Sequence, residues 1–135
     1  MKDLLNAAEM KAVDQRSIEE YGIPSLVLME RAALEVVKRA GELLEPGLSG
    51  NEALEYGPGR ERLLKERKRK TVWAVCGFGN NGADGAAAAR MLTLQGFSSV
   101  ILLPSQEGKR SRELEVQLSV AEKLGIPILT LGSDP

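Results

Sequence analysis

The sequence contains no histidine and a single cysteine, Cys76. Without histidine, neither a Ser-His-Asp nor a Cys-His arrangement can be assembled, so proton transfer falls to carboxylates, Lys, Tyr or water. One cysteine excludes an intrachain disulfide and any multi-cysteine metal site, which agrees with a reducing compartment. Charge of one sign is also lacking: 18 basic residues stand against 19 acidic ones, and no global field favours nucleic acid or an anionic membrane. Aromatic residues make up 4% of the chain, and none interleaves the basic run RERLLKERKRK, as base stacking would need. No apolar run reaches membrane-spanning length, and the N-terminus MKDLLNAAEMKAVDQ carries acids where a signal peptide needs an uninterrupted apolar region. The expected location is the cytoplasm, with neither nucleic acid nor a membrane as partner.

What is present reads as one domain. The 135 residues are 43% hydrophobic, enough to bury a core. From about Asn6 to Tyr21, Met10, Val13, Ser17, Ile18 and Tyr21 share one helical stripe, and Gly22 ends the helix. Pro24 suits the first turn of a second helix reaching about Leu44, with Leu26, Met29, Ala33, Val36, Ala40 and Leu43 as its apolar face. Residues 45–70 change character, turn-rich first and then densely basic, and read as an exposed linker, insertion or short solvated helix.

After Lys70, strand and helix alternate. TVWAVCG has the composition of a strand buried on both faces, with Trp73 a core or interface residue and Cys76 a small buried hydrophobe. DGAAAARMLTLQG, SSVILLP, KRSRELEVQLSVAEKLG and IPILTL continue the alternation, with Leu114, Leu118 and Ala121 on one side of the last helix. This order implies βαβ units and parallel strands. The fold class is α/β, a three-layer, Rossmann-like parallel sheet with two N-terminal helices packed on or beside it.

Ligands collect at the carboxyl ends of such strands, where CGFGNNGADG opens a helix. Gly77, Gly79 and Gly82 can take positive φ and bring backbone amides close to a phosphate. Asp84 suits the helix N-cap, and Asn80 and Asn81 offer donors and acceptors, including an oxygen for a hard cation. Three readings stand: a dinucleotide fingerprint, another ligand-holding loop, or a tight turn with Asp84 as a cap. The Asn-Asn insertion and the absence of an acid after SSVILLP count against the first.

GNNGADG after a strand, together with the upstream AAEMKAVDQRSIEEYGIPSLVLMERAA, resembles the N-terminal domain of the YjeF family, the NAD(P)H-hydrate epimerases. The family's features appear here as Glu9, Met10 and Asp14, then Gly22, Ile23 and Leu28 to Ala32, then Asn80 to Gly85. The resemblance implies interconversion of the R and S forms of hydrated NADH and NADPH (NADHX and NADPHX) as a step in cofactor repair. It implies that Asn80, Asn81, Gly82, Ala83 and Asp84 contact the substrate and that Asn81 ligates a potassium ion. A homodimer is implied as well, along with a fused or separate NAD(P)HX dehydratase as partner.

Ala83 stands where the family usually has glycine, which would introduce strain if φ there is positive. The family's catalytic aspartate and Gly-Thr-Gly loop lie beyond its third strand. The sequence therefore resembles the first half to two-thirds of the domain, a single partial domain over residues 1–135, and no catalytic residue is assigned, Asp134 included. A non-catalytic nucleotide-binding, scaffold or dimerisation module of the same fold is the alternative.

Overall fold

A computed structural model describes residues 4–47, 59–105 and 108–132. Asp134 and the middle of the 45–70 segment lie outside the described residues. The described elements follow the order α1 (Ala7–Glu19), α2 (Ser25–Leu44), α3 (Gly59–Lys68), β1 (Thr71–Val75), α4 (Asn80–Leu94), β2 (Ser98–Leu103), α5 (Arg112–Lys123) and β3 (Ile128–Thr130). The strands form one parallel sheet in the order β1-β2-β3, with Trp73 beside Val100 and Leu102 beside both Val75 and Leu129. Successive right-handed crossovers of this kind place α4 and α5 on the same face. The α/β class and the parallel sheet thus agree with the alternation in the sequence.

The alanine tract explains why α4 is the centre of the molecule. It is in contact with β1, β2, α2 and α5, and Ala83, Ala86, Ala87, Ala88 and Ala89 are all buried. Methyl side chains let four neighbouring elements approach one helix closely without strain, while losing no rotamer entropy. One core cluster joins Ala83, Ala86 and Ala89 to Met29, Ile101, Leu103, Leu114 and Leu118. A second joins Ala87, Ala88 and Leu92 to Ala33, Val37 and Phe97. α2 packs chiefly on α4, and Val72 of β1 joins the cluster that holds Ala33 and Val37. α1 contacts α2 and buries none of its residues.

Two packing expectations are corrected. The buried row of α2 is Met29, Ala33 and Val37, with Ala40 and Leu44 packed against the same cluster, whereas Val36 and Leu43 face outward. Both rows satisfy helical spacing, and contact with α4 selects between them. Nor is β1 buried on both faces: burial alternates along it, and Trp73 is 55% and Val75 72% exposed. Among the described residues, helices cover only the face carrying Ile101 and Leu103, leaving Trp73, Val75 and Leu129 on the other.

The basic run is not wholly solvated. Most of α3 is exposed, but Arg67 is buried and meets buried Glu45 in a bidentate pair, Nε to Oε1 at 2.9 Å and Nη2 to Oε2 at 2.7 Å. Its remaining Nη1 donates to the Gln95 carbonyl at 2.8 Å, and the guanidinium lies 5.0 Å from the Phe97 ring centroid. Lys70 Nζ donates to the Leu44 carbonyl at 2.6 Å. These contacts fasten the end of α3 to the end of α2 and to the α4–β2 turn.

Candidate functional site

β1 runs into Cys76 and the loop Gly77–Gly79, and α4 begins at once. Gly79, extended at φ −90° and ψ −168°, is the N-cap and has no side-chain capping bond. Its carbonyl accepts from the Ala83 amide at 3.1 Å, closing the first turn. Asp84 is therefore in the second turn of α4 and is not the cap. The Asn-Asn-Gly sequence resembles a turn but winds as helix, because Gly79 satisfies the cap conformation one residue before it.

None of Gly77, Gly79 and Gly82 takes a positive φ, and no non-glycine residue among those described does. The need for glycine at position 82 is steric instead: a Cβ there would overlap the Gly77 carbonyl oxygen. Ala83 carries no strain. It is helical and fully buried, and its methyl group belongs to the core.

The site residues separate accordingly. Asn80 and Asn81 are exposed on the first turn, Gly82 and Ala83 are buried beneath it, and Asp84 is half-buried. Asn80 and Asp84, one helical turn apart, line a cleft of about 300 Å³. Its other walls are Met10, Asp14 and Ile18 of α1, Ser25, Leu28, Met29 and Ala32 of α2, and Glu113 of α5. Asn81, Gly82 and Ala83 are not among its lining residues.

α1 reaches the cleft as a capped, exposed helix. Asn6 and Glu9 form a reciprocal capping box, with Glu9 N to Asn6 Oδ1 at 3.0 Å and Asn6 N to Glu9 Oε2 at 2.8 Å. Glu9 thus starts the helix that presents Met10 and Asp14. At the far end Gly22 turns the chain at φ 68°, and the Ile23 amide closes on the Ser17 carbonyl at 3.1 Å.

The cleft has a negative rim and an apolar floor. Burial, with the neighbouring Asp14 charge adding to it, raises the Asp84 carboxyl above the ordinary carboxylate range. Glu113 is held below its ordinary range, chiefly by the Ser25 hydroxyl, which donates to its Oε1 at 2.7 Å. Burial pushes the Cys76 thiol up to about 11, so this cysteine behind the loop is unreactive. Ser25 and Glu113 carry no local signal in the sequence. They lie 88 residues apart and meet only because α2 and α5 pack on α4.

A parallel α/β fold with a glycine-rich loop at the carboxyl end of its first strand, opening the central helix beside a cleft, belongs to the class whose ligand sites form where strand gives way to helix. The family model for "YjeF-related protein N-terminus" matches residues 25–135, and the chain belongs to that family. It is 37% identical to a protein of Weissella koreensis named NAD(P)H-hydrate epimerase, over 93% of this chain and 47% of that one. A protein of the same name from Oenococcus oeni is 40% identical over 87% of this chain and 46% of its own length. A crystal structure of yeast ynu0 (YNL200c) superposes with a TM-score of 0.66 at 23% identity, covering 96% of this chain and 48% of that chain. That likeness concerns the fold alone. The chain spans about half the length of the curated relatives it matches.

Proposed function

We propose that this chain carries the loop half of an NAD(P)H-hydrate epimerase site, serving the interconversion of R and S forms of NADHX and NADPHX. One observation carries the reading. The three sequence segments that carry the family resemblance line one cleft: Met10 and Asp14 from the first, Leu28, Met29 and Ala32 from the second, and Asn80 and Asp84 from the third. In this reading the Gly77–Gly79 backbone and the first turn of α4, at the positive end of the helix dipole, receive the anionic part of the nucleotide. Gly82 lets the loop fold back on α4, Ala83 anchors that turn in the core, and Asn80 and Asp84 contact the substrate from the cleft wall.

Potassium belongs to the proposal only in part. Asn81 offers one amide oxygen on an exposed turn, and the described residues hold no group of three His, Cys, Asp or Glu side chains able to bind a metal. Asn81 is assigned as one ligand, and no chemical step is derived through the ion.

The test is the interconversion of purified R- and S-NADHX by the 135-residue chain, with and without potassium, beside its Asn81→Ala variant. Acceleration that the variant loses in potassium supports the reading. A folded, monodisperse sample that leaves the spontaneous rate unchanged contradicts catalysis by this chain alone, and one that also binds no NADHX contradicts the reading. The exposed apolar residues Trp73, Val75 and Leu129 favour a second reading, a binding or dimerisation module. That module forms a stable oligomer by light scattering, indifferent to substitution of Asn80 and Asn81.

A further inference from the structure

The reading above leaves open which part of a nucleotide the cleft receives. Its floor is apolar, made by Met10, Ile18, Leu28 and Met29, and the ionisable groups lining it are Asp14, Asp84 and Glu113. All three are carboxylates. A phosphate or diphosphate placed there would meet three like charges and no lining cation. Arg112 lines only the adjacent cleft, which shares Ser25 and Glu113 with this one. Adenine could donate to the carboxylates through its N6 amino group as well, so the two rings are told apart by the ADP-ribose arm of the experiment below. A ring with a carboxamide N–H₂ group, and a hydroxyl where it is hydrated, offers donors to the carboxylates and an apolar face to the floor.

We infer that the cleft between α1, α2 and the first turns of α4 and α5 is a nicotinamide-ring subsite, in which Asp14 of α1 selects for a donor-bearing ring while the diphosphate stays outside on the Gly77–Gly79 loop. This rests on the nucleotide reading above and divides that site in two. α1 suits the selecting role because it buries no residue of its own and reaches the cleft with a single row, Met10, Asp14 and Ile18. Changing that row alters the ring wall without touching the core.

The experiment is an NMR titration of the labelled 135-residue chain with two probes, each carrying one half of the ligand's chemistry. 1-Methylnicotinamide, used in its uncharged 1,4-dihydro form, has the ring and carboxamide without phosphate, and ADP-ribose has the diphosphate without the nicotinamide ring. The dihydro probe is expected to shift the Met10 and Ile18 methyl resonances, and Asp14→Asn to weaken it about two- to fivefold, the scale of an exposed contact to a charged group. Asp14→Glu keeps the charge and restores most of the affinity. ADP-ribose shifts the Gly77 and Gly79 amides and leaves the α1 methyls in place. Shifts of the α1 methyls by ADP-ribose, or none by the dihydro probe, overturn the inference. The two failures are distinguishable: no epimerisation with the ring seated in the cleft removes the assigned reaction and leaves the subsite. Epimerisation without ring-induced shifts removes the subsite alone.

Discussion

At the scale of single residues, the loop depends on what cannot be added to it. Gly82→Ala places a methyl group against the Gly77 carbonyl, and the first turn of α4 or the loop must move. The expected cost is about 1–3 kcal/mol, typical of overpacking, read as a lower denaturation midpoint together with loss of nucleotide binding. Asp84→Asn should act in opposite directions on stability and binding. The folded-state pKa of Asp84 is raised, so the folded protein binds its proton more tightly than the unfolded chain does. The associated stability is complete below the unfolded value, about pH 4, and is lost as pH rises through the folded value. The amide carries no such penalty, so Asp84→Asn unfolds at higher temperature than the parent near neutral pH, and the advantage vanishes in acid. A scan of Tm against pH for both proteins checks the sign, and a lower Tm at neutral pH refutes it. Cys76 gives a simpler test, since a thiol raised to about 11 and fully buried reacts with a thiol reagent at neutral pH only at the rate of unfolding. The identities of these residues were legible in the sequence and several of their roles were not. At Gly82 the pattern of glycines suggested backbone freedom where the structure requires close approach, because φ cannot be read from a residue that allows every φ.

Among the elements, the anchoring of α3 is the feature the sequence concealed. Charge runs usually lie in water, and a buried Arg67 differs from its solvated neighbours through partners that folding brings to it: Glu45, 22 residues earlier, the Gln95 carbonyl and the Phe97 ring. The pair is fully bonded, so removing one partner strands the other. Arg67→Ala is expected to cost about 3–5 kcal/mol, while Arg67→Met combined with Glu45→Leu costs far less. Urea midpoints of the two variants decide it, and equal losses would contradict the pairing. The guanidinium bond holds the Glu45 carboxyl below its ordinary range. Its contribution is therefore present above the unfolded glutamate pKa and lost as pH falls through the folded value. The existence of α1, α2 and α5 was plain from the period, whereas the capping box of α1 between Asn6 and Glu9 emerged with the structure. The start of α4 was obscured because Asn-Asn-Gly has the composition of a turn, and the cap fell to a glycine without a side chain.

For the molecule as a whole, the alternation of strand and helix determined the topology, since parallel neighbours joined by helices admit few arrangements. Which strand faces are covered was not legible, because β-branched and aromatic runs look alike whether a helix lies over one side or both. The open face makes a direct prediction. Trp73, the only tryptophan and more than half exposed, should emit near the wavelength of solvated indole and be quenched by acrylamide in the folded monomer. Trp73→Ser should change stability by no more than about 0.5 kcal/mol. A blue-shifted emission that depends on protein concentration would show the face covered by association.

The central claim is that α1, α2 and the loop at the start of α4 form one site for a hydrated nicotinamide nucleotide. Calorimetric titration of R-NADHX into the 135-residue chain tests it most directly. Binding is predicted, and Asn80→Ala combined with Asp84→Asn should weaken it about tenfold or more, the scale of lost hydrogen bonds to polar and charged partners. A folded chain that binds no NADHX, or binds it equally well with both residues changed, would contradict the account.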